Sequence, residues 1–265
     1  MSMNNSTVPH ESRIVVSVVT VVFNGVGVIE ETIRSVFEQE YKNIDYVIID
    51  GGSDDGTLEI INRYKSRLSK IVSEKDNGIY DAMNKGIEFA SGDYVCFLNA
   101  GDKFCNSRTL KNLFEGITEN SLPDVLYGNS IVLTDDEKNL GELKSLDFTC
   151  ENLISRGTRT LCHQAIFVKM SRVPLYDTQY KLKGELNWYF EILSSKESLV
   201  IKKRNLPVVY YKLGGVGDTN FYKNLFERVL VVKNRFGYVR TILNTHNYLI
   251  SILFRYRTKL KSLLK

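Results

Sequence analysis

Acidic and amide side chains collect where apolar runs stop. Asp50 follows Ile49 and opens the turn Asp50-Gly51-Gly52-Ser53-Asp54-Asp55-Gly56-Thr57. Asn99 follows Leu98, with Asp102 three residues on in Asn99-Ala100-Gly101-Asp102. Between these stretches lie Asp76 and Asn77. Oxygen-bearing side chains beside glycines suit a ligand that comes close to the backbone, since glycine has no Cβ to hold it off. The Asp50–Ser53 segment would serve equally as a strand-to-helix turn with Ser/Asp capping, and capping accounts for Asn77 almost as well. Further on, Glu185 and Glu191 lie six residues apart in a helical pattern and so point in different directions. On residue type alone, Glu185 reads as well as an acid favoured in a helix's first turn. His163 stands without a His/Cys cluster, and the four cysteines (Cys96, Cys105, Cys150, Cys162) show no CxxC pair, so neither zinc nor a disulfide framework is signalled. A Gly-x-Gly-x-x-Gly after the first apolar run and a Walker loop are both missing, which argues against nicotinamide dehydrogenases and phosphate-loop kinases.

These residues need a scaffold. Val15 to Phe23 is nearly continuous in β-branched residues, the pattern of a strand buried on both faces of a parallel sheet. Asn24-Gly25-Val26-Gly27 breaks it, and Ile29, Ile33, Val36 and Phe37 then recur at helical spacing. A strand at Asp45–Ile49, a helix from Thr57, a short strand at Ile71-Val72, a helix over Ile79–Phe89 and a strand at Tyr94–Leu98 continue the alternation. Such alternation predicts a parallel α/β sheet, in which ligands bind beyond the carboxyl ends of the strands. Asp50 and Asn99 fall there. After Asp102 the pattern loosens: a helix at Thr109–Glu115, a hairpin at Thr134–Asn139 between Val125–Leu133 and Leu140–Leu143, and a strand at Ala165–Val168. A helix at Gly184–Ser195 and a strand at Pro207–Tyr211 follow. The reading is one domain over residues 1–220 and a helical extension over 221–265, interrupted near Gly237.

The 265 residues carry a net charge of +4, with 43% hydrophobic and 25% charged residues, values of an ordinary folded chain. That charge is unevenly divided. Residues 221–265 hold ten Lys/Arg against one acid, Glu227, while the remainder holds 25 bases against 30 acids. Whole-chain charge therefore gives no case for nucleic acid, and no reading motif accompanies the basic segment. The extension alternates apolar and basic residues, as in a helix lying on an anionic membrane surface. A helix packed on the body with a solvated basic face fits the same pattern. On this partition, removing Phe221–Lys265 is expected to abolish liposome binding and to leave the activity of the body intact. No apolar run reaches the ~18 residues of a spanning helix, and the polar first 15 residues lack a signal-peptide core, so a cytoplasmic protein is expected, with the basic extension as its contact to a membrane surface.

In combination, Val16–Asn24, Ile48–Thr57, Ser73–Gly86 and Ala90–Asp102 resemble the inverting nucleotide-sugar glycosyltransferases of family 2, which have the GT-A fold. Tyr127-Gly128, Cys162-His163-Gln164 and Gly214-Gly215-Val216 extend the likeness more sparsely, and it does not reach the extension. Ser73 to Asp102 in particular looks like bacterial enzymes of O-antigen and other surface polysaccharides. The resemblance implies an α/β GT-A fold, with a mostly parallel nucleotide-binding sheet flanked by helices. It places Thr20 and Asp50 at the nucleotide base, which in the family is a uracil. Asn24, Gly52, Asp76, Asn77, Asn99 and His163 are further candidates on the donor, His163 at a phosphate or on the acceptor side. Asp102 becomes the last acid of the metal-binding motif, holding Mn2+ or Mg2+ on the donor diphosphate. Asn99 stands where the first acid of that motif commonly lies. Glu185 becomes the base that deprotonates the acceptor hydroxyl; Trp188, on the same helix, reads as an apolar platform for an acceptor sugar or, as an aromatic on a helix more often is, as core. Met83 stands where the family often has an arginine before Asn84. The implied reaction moves a sugar, with glucose slightly favoured, from a UDP-sugar to an undecaprenyl-diphosphate-linked glycan. The rivals are a sugar nucleotidyltransferase, disfavoured because Phe23–Gly27 has no basic residue, and an inactive glycan- or membrane-binding assembly protein with the same fold.

Overall fold

A computed structural model describes residues 14–134, 136–195, 197–212 and 221–263. The elements run β1 (Val16–Val22), α1 (Ile29–Phe37), β2 (Ile44–Asp50), α2 (Thr57–Arg63), β3 (Lys70–Ser73), α3 (Ile79–Phe89) and β4 (Tyr94–Phe97). Then come β5 (Lys103–Phe104), α4 (Thr109–Phe114), β6 (Val125–Leu133), β7 (Asn139–Leu143), α5 (Cys150–Arg156), β8 (Ile166–Lys169), α6 (Gly184–Leu193), β9 (Ile201–Lys212) and α7 (Phe221–Leu263). Among the described residues the strands form one sheet in the order β3-β2-β1-β4-β8-β6-β9-β5, with β7 paired to β6.

The β-branched runs become strands because both faces of the sheet are covered. Every residue of β1 is buried. Val19, Val21, Val47, Ile49, Val95 and Phe97 pack on one side with α3 and α6. Alternate residues Val18, Val22, Ile48, Cys96 and Leu98 pack on the other with α1 and α4. At ~1.5–3 kcal/mol for each fully buried aliphatic side chain, this double cover dominates the register. Acids at the strand starts are consumed in holding it. Asp45 accepts from Ser17 Oγ at 2.6 Å and from the Ser91 amide at 2.8 Å, and Asp93 accepts from the Val15 amide at 2.8 Å.

Strands β3, β2, β1 and β4 are mutually parallel. Beyond β4 the sheet turns mixed: β4–β8, β8–β6, β5–β9 and β6–β7 are antiparallel, and β6–β9 is parallel. Strand β9 is twelve residues long, extending well before the Pro207–Tyr211 core of its apolar signal. Its first half carries Lys202, Lys203 and Arg204, which interrupt that signal while the backbone still pairs with β6.

Helix α7 breaks at Gly237, whose φ of 78° lies in the left-handed region. Before the break the helix belongs to the body. Val231 and Val232 are buried in the core, Phe236 meets Phe190 edge-on at 4.9 Å, and Arg235 pairs with Glu191 at 2.6 Å. After it, Tyr238, Val239, Ile242 and Leu243 are exposed on one side, while Thr241 is buried and Arg240 pairs with Glu151 at 3.6 Å. Among the described residues, no helix is long and apolar enough to cross a membrane.

Candidate active site

The carboxyl ends of β2, β1 and β4 converge. Asp50 is fully buried and gathers the β2–α2 turn: it accepts from Ser53 Oγ, from the Ser53 amide at 3.2 Å and, across to β3, from Ser73 Oγ at 2.6 Å. Asn24, in the left-handed conformation at φ 49°, laces the neighbouring loop to this turn. Its amide donates to Ser53 Oγ at 2.8 Å and its Oδ1 accepts from the Asp54 amide at 3.1 Å. Gly51 lies directly against the Asp76 carboxylate, so a Cβ there would collide with it. Asp76 in turn accepts from the Gly78 amide at 2.9 Å, closing the loop before α3. Gly52 takes φ 84° in the same turn. Asp50, Gly51, Gly52, Asp76 and Asn24 thus share one mouth.

One strand across, the β4 end presents Asn99 and Asp102. Asp102 is 6% exposed, and burial pushes its carboxyl up to about 7 against the opposing pull of the Lys212 amide, Gln164 and the Lys212 ammonium. Its oxygens accept from Gln164 Nε2 at 2.7 Å and from the Lys212 amide at 3.1 Å. The two-residue strand β5, paired to Tyr210 and Val209 of β9, hooks the Asp102 loop in place. Asn99 Oδ1 is buried with no hydrogen-bond partner among the described residues. A buried unpaired amide oxygen is costly, of order 1–3 kcal/mol, unless something else satisfies it. Among the described residues no group of three or more His, Cys, Asp or Glu could hold a metal. Asn99 and Asp102 nevertheless supply two hard oxygens, the donor type Mg2+ and Mn2+ prefer when phosphates and water complete the shell.

Glu185 stands in the first turn of α6 and accepts from Thr158 Oγ1 at 2.8 Å. Its helix is pressed on α3: a Cβ on Gly184 would come within 2.7 Å of the Tyr80 ring. Asn84 of α3 clamps the Tyr176 backbone, donating to its carbonyl at 2.9 Å and accepting from its amide at 2.7 Å. Asn77 receives Lys181 Nζ on its carbonyl at 3.1 Å, while its own amide donates to Asp81 at 2.9 Å. Glu185 and the Asp76–Asn77 loop therefore meet at the N-terminal ends of α6 and α3. Glu191 points instead to Arg235 on α7.

Two candidate site residues, Thr20 and His163, lie inside the fold, and Trp188 takes its core reading. Thr20 is fully buried and its hydroxyl is bonded to the Tyr46 hydroxyl at 3.0 Å, so it sits between β1 and β2 and does not reach the mouth. His163 is interior: its Nε2 lies 2.6 Å from the Tyr176 hydroxyl and its ring stacks on Phe97, so it meets no donor phosphate or acceptor in this arrangement. Burial holds its imidazole down to about 4, with the Glu185 charge opposing. Trp188 is core as well, stacked on Tyr176 with its indole N–H on the Pro174 carbonyl at 2.7 Å. The Gly214-Gly215-Val216 match lies outside the described residues.

Two residues join this arrangement only in three dimensions. Phe23, 65% exposed, stands at the mouth with its Cβ beside Gly51. The one available signal was a large apolar residue directly before the loop-forming Asn24. Gln164 joins Asp102 to Cys162, whose thiol lies 3.1 Å from Gln164 Oε1, a link across 62 residues that no local pattern announces.

The parallel half of the sheet thus ends in a glycine-lined acidic mouth, with Asn99, Asp102 and the helix-borne Glu185 beside it, on the side where α/β sheets take ligands. The chain matches Glycosyl transferase family 2 over residues 17–170 and belongs to that family. It is 29% identical over 229 residues to a PGL/p-HBAD biosynthesis glycosyltransferase of Mycobacterium bovis, covering 83% of this chain and 86% of that one. In fold it is similar to S. aureus TarS in complex with UDP, with a TM-score of 0.64, 18% identity and coverage of 89% of this chain and 70% of TarS. It is likewise similar to the mannosyltransferase PcManGT of Pyrobaculum calidifontis in complex with GDP-Man and Mn2+, with a TM-score of 0.58, 17% identity and coverage of 88% and 69%.

Proposed function

We propose that this glycosyltransferase moves a hexose, glucose first among the candidates, from a UDP-sugar to a hydroxyl of an undecaprenyl-diphosphate-linked glycan, with inversion, in the assembly of O-antigen or another bacterial surface polysaccharide. The observation that carries the reading is the unpartnered buried Asn99 Oδ1 beside Asp102, at the strand end adjoining the Asp50 mouth. Asp50 and the exposed Phe23 would receive the uracil, and Asn24, Gly52, Asp76 and Asn77 the rest of the nucleoside. Asn99 and Asp102 would hold Mn2+ or Mg2+ with the donor diphosphate, where the cation neutralises charge on the departing UDP. Glu185 takes the proton of the acceptor hydroxyl as that oxygen forms its bond to the anomeric carbon, and the bond from that carbon to the UDP oxygen breaks with its electron pair. A UDP-bound fold neighbour and a Mn2+-bound one support the donor and metal assignments. The PGL/p-HBAD relative supports a role in surface glycans. The exposed Tyr238, Val239, Ile242 and Leu243, within a strongly basic segment, support peripheral contact with an anionic membrane on its cytoplasmic face.

The test is a panel of UDP-sugars with a short lipid-diphosphate glycan and Mn2+, read as UDP release and product mass. Glu185→Gln is expected to lower kcat by ~100- to 10,000-fold, and Asp102→Ala to remove the response to Mn2+. Full activity in both variants would sink the assignments. Calorimetry with no UDP binding, with or without Mn2+, would favour the inactive assembly protein.

A further inference from the structure

Glu227 is the one acid of the basic segment 221–265. It leaves α7 toward the chain that precedes α6 and accepts three consecutive backbone amides. Lys181 donates at 3.1 Å, Leu182 at 2.7 Å and Lys183 at 3.0 Å. Gly184, which follows, packs against the Tyr80 ring. A helix start leaves several N–H groups without intrahelical partners, and Ser, Thr, Asp or Asn at the cap ordinarily serves them. Here the cap position is Lys183, which gives no side-chain hydrogen bond. Glu227, 44 to 46 residues away in sequence, instead takes the cap amide of Lys183 and the two amides before it, fixing the turn that leads into the helix. A carboxylate is the strongest group for it, since its bonds are charge-assisted and its charge complements the helix dipole.

The turn held in this way has functional candidates on both sides. Glu185 follows two residues after Lys183, and Lys181 Nζ reaches the Asn77 carbonyl in the donor loop at 3.1 Å. We propose that Glu227 is a positioning residue: it fixes the 181–183 turn from which α6 presents Glu185, so the basic extension sets the geometry of the candidate base as well as carrying a surface for lipid. The proposal rests on reading Glu185 as the base, and its test separates the two.

Amide hydrogen exchange would be followed on the full chain, on Glu227→Gln, which loses the charge and keeps one acceptor oxygen, and on Glu227→Ala. Amides 181–187 are expected to exchange on the order of tenfold faster in Glu227→Gln and faster again in Glu227→Ala, as the loss of charged hydrogen bonds from a local opening equilibrium implies. Amides of β1 and β2 should hold their protection. With the UDP-sugar that the donor panel selects, kcat should fall by about tenfold while the donor KM stays within about twofold. Unchanged exchange at 181–187 in both variants overturns the proposal. So does equal acceleration in β1 and β2, which would mark a general loss of stability. Full activity in Glu185→Gln would overturn the base reading alone, and the exchange result at 181–187 would still support or overturn the fixing of the turn.

Discussion

Asp50 draws its hydrogen bonds from Ser53 in its own turn and from Ser73 on the adjacent parallel strand, whereas Asp102 draws on Gln164 and Lys212, 62 and 110 residues further along the chain. The proposed donor mouth is thus built by local turn chemistry on a parallel sheet. The proposed metal and base side is built by tertiary contacts from β9, α6 and α7. Local assembly should tolerate distant cuts and suffer from point changes in its own loops. Remote assembly should fail when a far segment is removed.

The largest expected effect follows from the remote side. Charge partition alone treats residues 221–265 as a detachable basic tail. The structure gives them two parts. Val231 and Val232 are fully interior and worth ~2 kcal/mol each; Phe236 and Arg235 meet α6, and Glu227 holds the turn before it. Losing these together approaches the 5–15 kcal/mol by which domains of ordinary stability are folded. Deletion of 221–265 is therefore expected to yield no cooperatively folding protein by calorimetry. Removal of 246–265 is a shorter cut that leaves Glu227, Val231, Val232, Arg235 and Phe236 in place. That shorter cut takes away five bases, Arg255 to Lys265, each worth ~1 kcal/mol at an anionic surface, and should abolish co-sedimentation with anionic vesicles. A folded, active 1–220 fragment would break the comparison.

A change of intermediate size separates the two sides at single residues. Asp50→Asn keeps one acceptor for Ser53 and Ser73 but loses the charge, and UDP affinity is expected to fall by about tenfold, the worth of one charge-assisted bond. Because Asp50 is tied only to nearby groups, the response to Mn2+ should survive in this variant. Asp102→Asn should do the reverse, keeping base recognition while the rise in unfolding midpoint on adding Mn2+ with UDP disappears. Titration calorimetry and thermal shift on both variants read this directly. Identical profiles for the two would show that the sides are not independent.

What the sequence made legible follows the same division. The run Val15–Phe23 and the Asp50 turn are legible because a doubly buried parallel strand leaves a continuous β-branched signature and its turn chemistry lies within a few residues. Strand β5 and helix α5 leave too short a trace, and β9 is half hidden by Lys202, Lys203 and Arg204, since its length is set by pairing to β6. Resemblance supplied Asp102 and Glu185 as candidates. It included Gln164 in a matched motif without its bond to Asp102, and it could not supply Lys181 or Glu227, whose partners lie 44 or more residues away. His163 shows the opposite error: a polar residue beside a family-like motif that the fold places among Phe97, Tyr176 and Trp188.

That histidine gives the effect smallest at neutral pH, and it tests whether its place is structural. Its imidazole is held from 6.5 down to about 4 by burial, so the folded state resists a proton that the unfolded chain accepts. Between those values the unfolded state binds more protons, and stability rises with pH. The contribution is full above pH 6.5 and is lost as pH falls toward 4, reaching on the order of 3 kcal/mol. His163→Phe would leave the Tyr176 hydroxyl without its partner and cost ~1–3 kcal/mol at every pH, but it should flatten the slope of stability between pH 4 and 6.5. Denaturant melts of both proteins at pH 4.5, 5.5 and 7 measure that slope, and kcat at pH 7 should change little in the folded variant. A steep loss of kcat with the slope intact would return His163 to the reaction, and the aromatic core around it would then have to open during turnover.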